Sequence, residues 1–175
     1  MINTEKKRLN LYNYLLMNKL LFILTVFIFY SCNSNKEARP PVITFKSFVK
    51  KPGAGNIDGE GTLTIKFTDN DGDIGLYEGD TIGSFQLDST YYYNLLITYY
   101  EKQNGQYVKI DLPITNNARI PYLEGNGGLE GQIQTDLYFN NPFSIYDTIR
   151  YKIILIDRAL NSSNEVYTND IKVVK

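Results

Sequence analysis

The 175 residues include no histidine and no tryptophan, only two methionines and a single cysteine. Each absence closes a chemistry. Without histidine there is no Ser-His-Asp triad, no Cys-His pair and no imidazole metal ligand. The lone Cys32 forms no internal disulfide, no thiolate zinc site and no CxxC redox pair. No apolar run reaches the roughly 20 residues that a membrane-spanning helix needs. What is present is 43% apolar residues and 21% charged ones, with 15 Tyr and 9 Phe. That is enough for one sizeable core and argues against a disordered chain. The length suits one domain with an appendage.

The longest apolar run, Leu20 to Tyr30, covers 11 residues, follows Lys6, Lys7, Arg8 and Lys19, and precedes Ser31-Cys32. A basic opening ahead of a short apolar stretch is the layout of a secretion signal. Reading from Met17 gives an equally compact signal, so two starts fit. Phe29-Tyr30-Ser31-Cys32 resembles the lipobox of bacterial lipoproteins, with a small residue just before the cysteine. Tyr30 stands where Ala or Ser is commoner, a looseness of the box tolerated in Bacteroidota. The resemblance implies cleavage ahead of Cys32, acylation of its thiol and a place in the cell envelope. Two or three acyl chains, at about 0.8 kcal/mol per buried methylene, hold a protein firmly to a bilayer. Asn33, rather than the Asp of inner-membrane retention, points to the outer membrane, with the protein periplasmic or surface-exposed. Residues 1–31 then form the signal peptide, 32–41 the lipidated cysteine and polar tether, and 42–175 the folded domain. Removing residues 1–31 takes four basic groups and one acid with it, which leaves 14 basic against 18 acidic residues, net −4. With no run of Lys and Arg to neutralise phosphates, nucleic acid is not an expected partner.

From Val42 onward period-two alternation dominates. Gly61 to Asp69 sets Leu63, Ile65 and Phe67 on one face and Thr62, Thr64, Lys66 and Thr68 on the other. Further strands are expected at Val42–Lys46, Tyr91–Tyr100, Gln106–Ile110, Arg119–Leu123, Leu129–Leu137, Ile149–Ile156 and Asp170–Lys175. Asn104-Gly105 is a type I′ hairpin signal between two of them. No helical stripe stands out beyond the signal. Seven to eight short strands with polar turns predict an all-β, antiparallel sandwich, with a small β-barrel as the alternative.

Three stretches narrow the sandwich. Asp147-Thr-Ile-Arg-Tyr151-Lys-Ile153 has the spacing of a tyrosine corner at the start of strand F, with Ile153 where an immunoglobulin cysteine would stand. Asp157-Arg-Ala-Leu-Asn161-Ser-Ser-Asn164 resembles the Asp-x-Ala-Gly-Asn-x-Ser ending of bacterial Ig-like and fibronectin-like modules, with Leu160 in place of Gly. Asp69-Asn-Asp-Gly-Asp-Ile74 resembles the loop between strands B and C of PKD-like domains. Together they resemble an Ig-like domain over residues 42–175.

The acidic loop is the candidate site. Asp69, Asp71 and Asp73 stand within five residues, where three carboxylates repel unless a cation or solvent compensates. Hard oxygens at this density suit Ca²⁺, which takes six to eight of them. An EF-hand is excluded, because Ile74 occupies the sixth position that its glycine requires. The Ig-like resemblance implies that the loops after strands B and F emerge at one end, bringing Asp157 and Asn161 near the three aspartates, with Glu78 and Asp80 as further oxygens if the loop curls back. The set Asp69, Asp71, Asp73, Asp157 and Asn161 is then a calcium clamp. A solvated turn is the alternative, since Asp, Asn and Gly also favour turns.

Paired carboxylates also raise a glycoside hydrolase, but nothing here separates an acid from a base. The tyrosine runs Tyr91-Tyr-Tyr93 and Tyr99-Tyr100 either fill strands or present a sugar- or protein-binding row. The expectation is a lipid-anchored envelope module with a non-catalytic binding or structural role toward an envelope protein or a surface glycan. The alternatives are a carboxylate hydrolase and an accessory subunit of an outer-membrane complex.

Overall fold

Leu63, Ile65 and Phe67 alternate with threonines and a lysine, and a backbone with that pattern is stable only as a strand laid on a core. A computed structural model of the chain describes residues 39–53, 55, 57–123 and 127–175. The signal segment, Cys32 and most of the tether lie outside the described residues. The strands are β1 (Val42–Lys50), β2 (Glu60–Asp69), β3 (Leu95–Gln103), β4 (Gln106–Lys109), β5 (Leu129–Tyr138), β6 (Thr148–Leu155), β7 (Val166–Tyr167) and β8 (Ile171–Lys172). They form two antiparallel sheets, β1-β2-β5 and β4-β3-β6-β7, with β8 also paired to β6. Among the described residues no ladder joins the sheets, so the fold is a sandwich and the barrel alternative is set aside.

Between the layers lie Ile43, Leu63, Ile65 and Phe67 from one sheet and Leu95, Ile97, Tyr99, Ile149, Tyr151, Ile153 and Leu155 from the other. Tyr151 is fully buried and meets Tyr99 edge-on, with ring centroids 5.7 Å apart. Its hydroxyl donates to the Tyr138 carbonyl at 3.0 Å, so its one polar atom is satisfied within the core. The bond reaches back 13 positions to the end of β5, further than the few residues a tyrosine corner spans. Asn104 and Gly105 have φ of 50° and 85°, the positive pair that a type I′ turn requires, and the turn sets Gln103 opposite Gln106.

Three sequence expectations are corrected. The strand predicted over Tyr91–Tyr100 begins only at Leu95, because Tyr91–Tyr93 lie in a turn closed by Tyr92 N–H donating to the Ser89 carbonyl. The Arg119 guanidinium donates to the carbonyls of Tyr92, Tyr77 and Asp80, taking acceptors that a ladder would have used. Arg119–Leu123 is not a strand. Only isolated bridges form around it, Ala118 with Leu95 and Pro121 with Leu76. The Asn94 amide acts there as a substitute peptide, accepting from Ile120 N–H at 2.6 Å and donating to the Ile120 carbonyl at 3.2 Å. Finally, the strand expected over Asp170–Lys175 shrinks to β8 (Ile171–Lys172), and β7 (Val166–Tyr167), which the alternation did not suggest, precedes it. Between them Thr168 serves Tyr151 twice, its N–H donating to the Tyr151 carbonyl and its hydroxyl accepting from the Tyr151 N–H.

The registers define one pole of the sandwich. Val42 faces Thr68, Asp69 faces Leu129, and Leu95 faces Leu155. The start of β1, the end of β2, the start of β5 and the end of β6 therefore meet at the same end as the acidic loop.

Candidate metal centre

Strand alternation forces the first carboxylate inward. Leu63, Ile65, Phe67 and Asp69 share one face of β2, so the residue ending the strand points its acid toward the core. Asp69 is 2% exposed. The chain then turns tightly: Asp73 N–H donates to Asp69 Oδ2 at 2.9 Å, and Gly72 and Gly75 have φ of 75° and 95°. A side chain at either glycine would strike backbone, at Gly127 and Pro121 respectively. Ile74, fully buried, anchors the loop between them.

This turn gathers three carboxylates. One oxygen from each of Asp69, Asp71 and Asp73 lies within 4.8 Å of the others. The Oδ1 atoms of all three are buried and accept no hydrogen bond. Buried acceptors are nearly always paired, and leaving a charged one unpaired is costly.

The loop after β6 packs against this turn. Arg158 N–H donates to the Asp73 carbonyl at 3.1 Å, and Ala159 N–H donates to Asp73 Oδ2 at 3.0 Å. Asp157 is 1% exposed; burial raises the carboxyls of Asp73 and Asp157, and the charges of Asp157 and Asp71 respectively add to that rise. Both Asp157 oxygens accept from Asn161, one from its N–H at 2.7 Å and one from its side-chain amide at 2.8 Å. Asn161 thus orients Asp157, which is not one of the three carboxylates that lie within 4.8 Å of one another. Asp80 is held elsewhere. It pairs with Arg158 at 2.9 Å and accepts from Tyr77 N–H, and Glu78 is exposed. The Arg158 guanidinium, drawn to Asp80 and stacked 4.3 Å from the Tyr77 ring, leaves the aspartates without a paired cation among the described residues.

The electrostatics record that strain. Burial pushes the Asp69 carboxyl up to about 6, against the bond from Asp73 N–H and together with the nearby charges of Asp71 and Asp73. Burial likewise raises Asp73 and Asp157 above the ordinary carboxylate range. Folded carboxyls that hold protons more tightly than unfolded ones lose stability as they ionise. Cation-free protein is therefore expected to melt at a lower temperature as pH rises from about 4 to about 6. The lowered carboxyls of Asp58, Asp136, Asp147 and Asp170 act in the opposite sense, below about pH 4. Melting curves in a chelating buffer check this, and a melting temperature that climbs steadily from pH 4 to 6 contradicts it.

Leu160 closes the turn after β6 with φ of 69°, a left-handed conformation that glycine adopts at no steric cost. A left-handed leucine costs roughly 1–2 kcal/mol. Leu160→Gly relieves that strain but raises unfolded-chain entropy, for a net expected gain of about 0.5 kcal/mol by urea denaturation. A loss of 1 kcal/mol or more, on the order of a deleted apolar contact, contradicts it.

The aspartate triplet was readable from its spacing. The donors Arg158 N–H and Ala159 N–H were not, because backbone groups of a distant loop leave no composition signal. Set against protein-family models, curated proteins and solved structures, the chain matches none of them.

Proposed function

We propose that the chain is a lipid-anchored, non-catalytic module of the bacterial cell envelope, with one pole clamped by calcium and an envelope protein or surface glycan as its partner. The observation that carries this reading is a trio of carboxylates with one oxygen each within 4.8 Å of the others, every one of which also holds a buried oxygen that accepts no hydrogen bond. Asp69, Asp71 and Asp73 would hold the ion, with Asp157 close enough to add to the negative field. The ion would supply the positive charge that the three aspartates lack among the described residues, tying the loop after β2 to the loop after β6. Oxygen-only donors on flexible carboxylates favour Ca²⁺ over Mg²⁺, which demands near-ideal octahedral geometry.

The arrangement supports binding over hydrolysis. Glycosidase carboxylates stand roughly 5 to 10 Å apart on either side of a sugar bond. Here the three oxygens crowd within 4.8 Å, on one turn. The anchor rests on the signal-like segment and on Cys32 behind it. The described chain enters β1 at Val42, opposite Thr68, so the tether joins the domain at its acidic pole. Metabolic labelling with an alkyne fatty acid tests the anchor. Label is expected on the wild type and none on Cys32→Ser, and an unlabelled wild type removes the anchor from the reading.

A further inference from the structure

We propose that the outward face of the β4-β3-β6-β7 sheet binds a carboxylate-bearing glycan, with Arg150 as its anchor and Tyr100, Tyr107 and Tyr167 as its platform. The inference names the partner class for the binding role proposed above and does not depend on the calcium clamp. Cross-strand register builds the face. Tyr100 stands opposite Arg150 on one side and Lys109 on the other, Lys102 opposite Tyr107, and Lys152 opposite Tyr167. Residues two apart on a strand share a face, so these side chains all point away from the core. The Arg150 guanidinium lies 3.6 Å from the Tyr107 ring centre, 4.6 Å from that of Tyr167 and 5.8 Å from that of Tyr100.

Charge pairing singles out Arg150. Lys102 pairs with Asp170, Lys109 with Asp111, Lys152 with Glu165 and Lys172 with Asp147. Arg150 has no carboxylate partner among the described residues, and its Nε is buried without an acceptor. Asp170, which feels its charge, is already shared by Lys102 and the Tyr107 hydroxyl. With four of five cations neutralised, the face is too weakly positive for the phosphate array of a nucleic acid. One planar, always-charged fork is instead matched to a single carboxylate, which it binds through two parallel hydrogen bonds. Tyrosine rings around the fork offer apolar surface to the C–H face of a pyranose and hydroxyls to its oxygens. The surface is an open sheet face, which suits an extended polymer better than an enclosed metabolite. Together these features fit a uronic acid unit within a chain.

Calorimetric titration in a chelating buffer tests the inference and keeps the acidic loop out of the result. The probes are a galacturonate oligomer, its methyl-esterified counterpart and poly-glutamate, each against wild type, Arg150→Gln and Tyr167→Ser. Wild type is expected to bind the uronate, and esterification or Arg150→Gln to weaken binding roughly 10- to 100-fold. Tyr167→Ser, on an exposed two-residue strand, keeps the charge and is expected to weaken it several-fold. Absence of uronate binding, or equal binding by wild type and both variants, overturns the inference. Equal affinity for the methyl ester overturns the role of Arg150, and equal affinity for poly-glutamate overturns the glycan assignment.

Discussion

Calcium at about ten times its dissociation constant is expected to raise the melting temperature by about 5 °C, and Asp71→Asn to remove that rise. The magnitude follows from mass action: tenfold saturation of a site present only in the folded state adds about 1.4 kcal/mol. One kcal/mol moves the midpoint of a domain this size by roughly 3 to 4 °C. The same variant carries a second and opposite signature. Removing one of three crowded carboxylates relieves repulsion that wild type endures without a cation. In chelator, Asp71→Asn is therefore expected to melt above wild type, and with calcium below it. A solvated turn predicts no such crossing. Its carboxylates would face water, calcium would leave the melt unchanged, and the variant would track the wild type in both buffers.

The largest loss of stability is expected at the centre of the sandwich. Tyr151→Ala deletes a fully buried ring that packs against Tyr99 and Phe48, and should cost about 3 to 5 kcal/mol in urea denaturation. Domains of this kind have only about 5 to 15 kcal/mol in total, so much of the variant's stability is lost. Tyr151→Phe keeps the ring and loses the bond to the Tyr138 carbonyl, leaving that carbonyl with one partner fewer, at about 1 kcal/mol. The gap between the two variants separates ring packing from the hydroxyl's bond. Equal losses would place the whole effect in the hydrogen bond and contradict the packing argument.

Local signals in the sequence carried the sandwich. β2 was legible because alternation over Leu63, Ile65 and Phe67 needs no distant partner to be recognised, and the β3–β4 hairpin because Asn104-Gly105 encodes its own turn. The spacing from Asp147 drew attention to Tyr151, which is a core residue, but its hydroxyl bonds the Tyr138 carbonyl 13 positions back rather than nearby backbone. The failures share a different cause. Tyr91–Tyr93 look like a strand, yet the Arg119 guanidinium, 27 positions beyond Tyr92, captures the Tyr92 carbonyl. Arg119–Leu123 look like a strand, yet Asn94 engages Ile120 through a side chain. Side-chain capture of backbone groups across 26 or 27 positions leaves no periodic trace.

The candidate sites divide the same way. Asp69, Asp71 and Asp73 are adjacent in sequence and were visible as a group. That Asp69 points inward follows from strand parity, while the unpartnered oxygens depend on how the turn packs against the loop after β6. Asn161 was placed beside the aspartates by the expected loop arrangement, and both its N–H groups donate to Asp157. The Arg150 face was invisible, because its tyrosines and lysines come from β3, β4, β6 and β7, and none of those strands is basic by itself. Only the register brings them together.

Calorimetric titration of the folded domain with calcium at neutral pH is the most direct test of the clamp. The expected result is saturable binding of one ion per chain, with a dissociation constant of about 10⁻⁴ to 10⁻³ M, as in extracellular calcium modules, abolished by Asp71→Asn. Wild-type protein that takes up no calcium across that range would show that the three buried oxygens are compensated in some other way, and the clamp would be withdrawn.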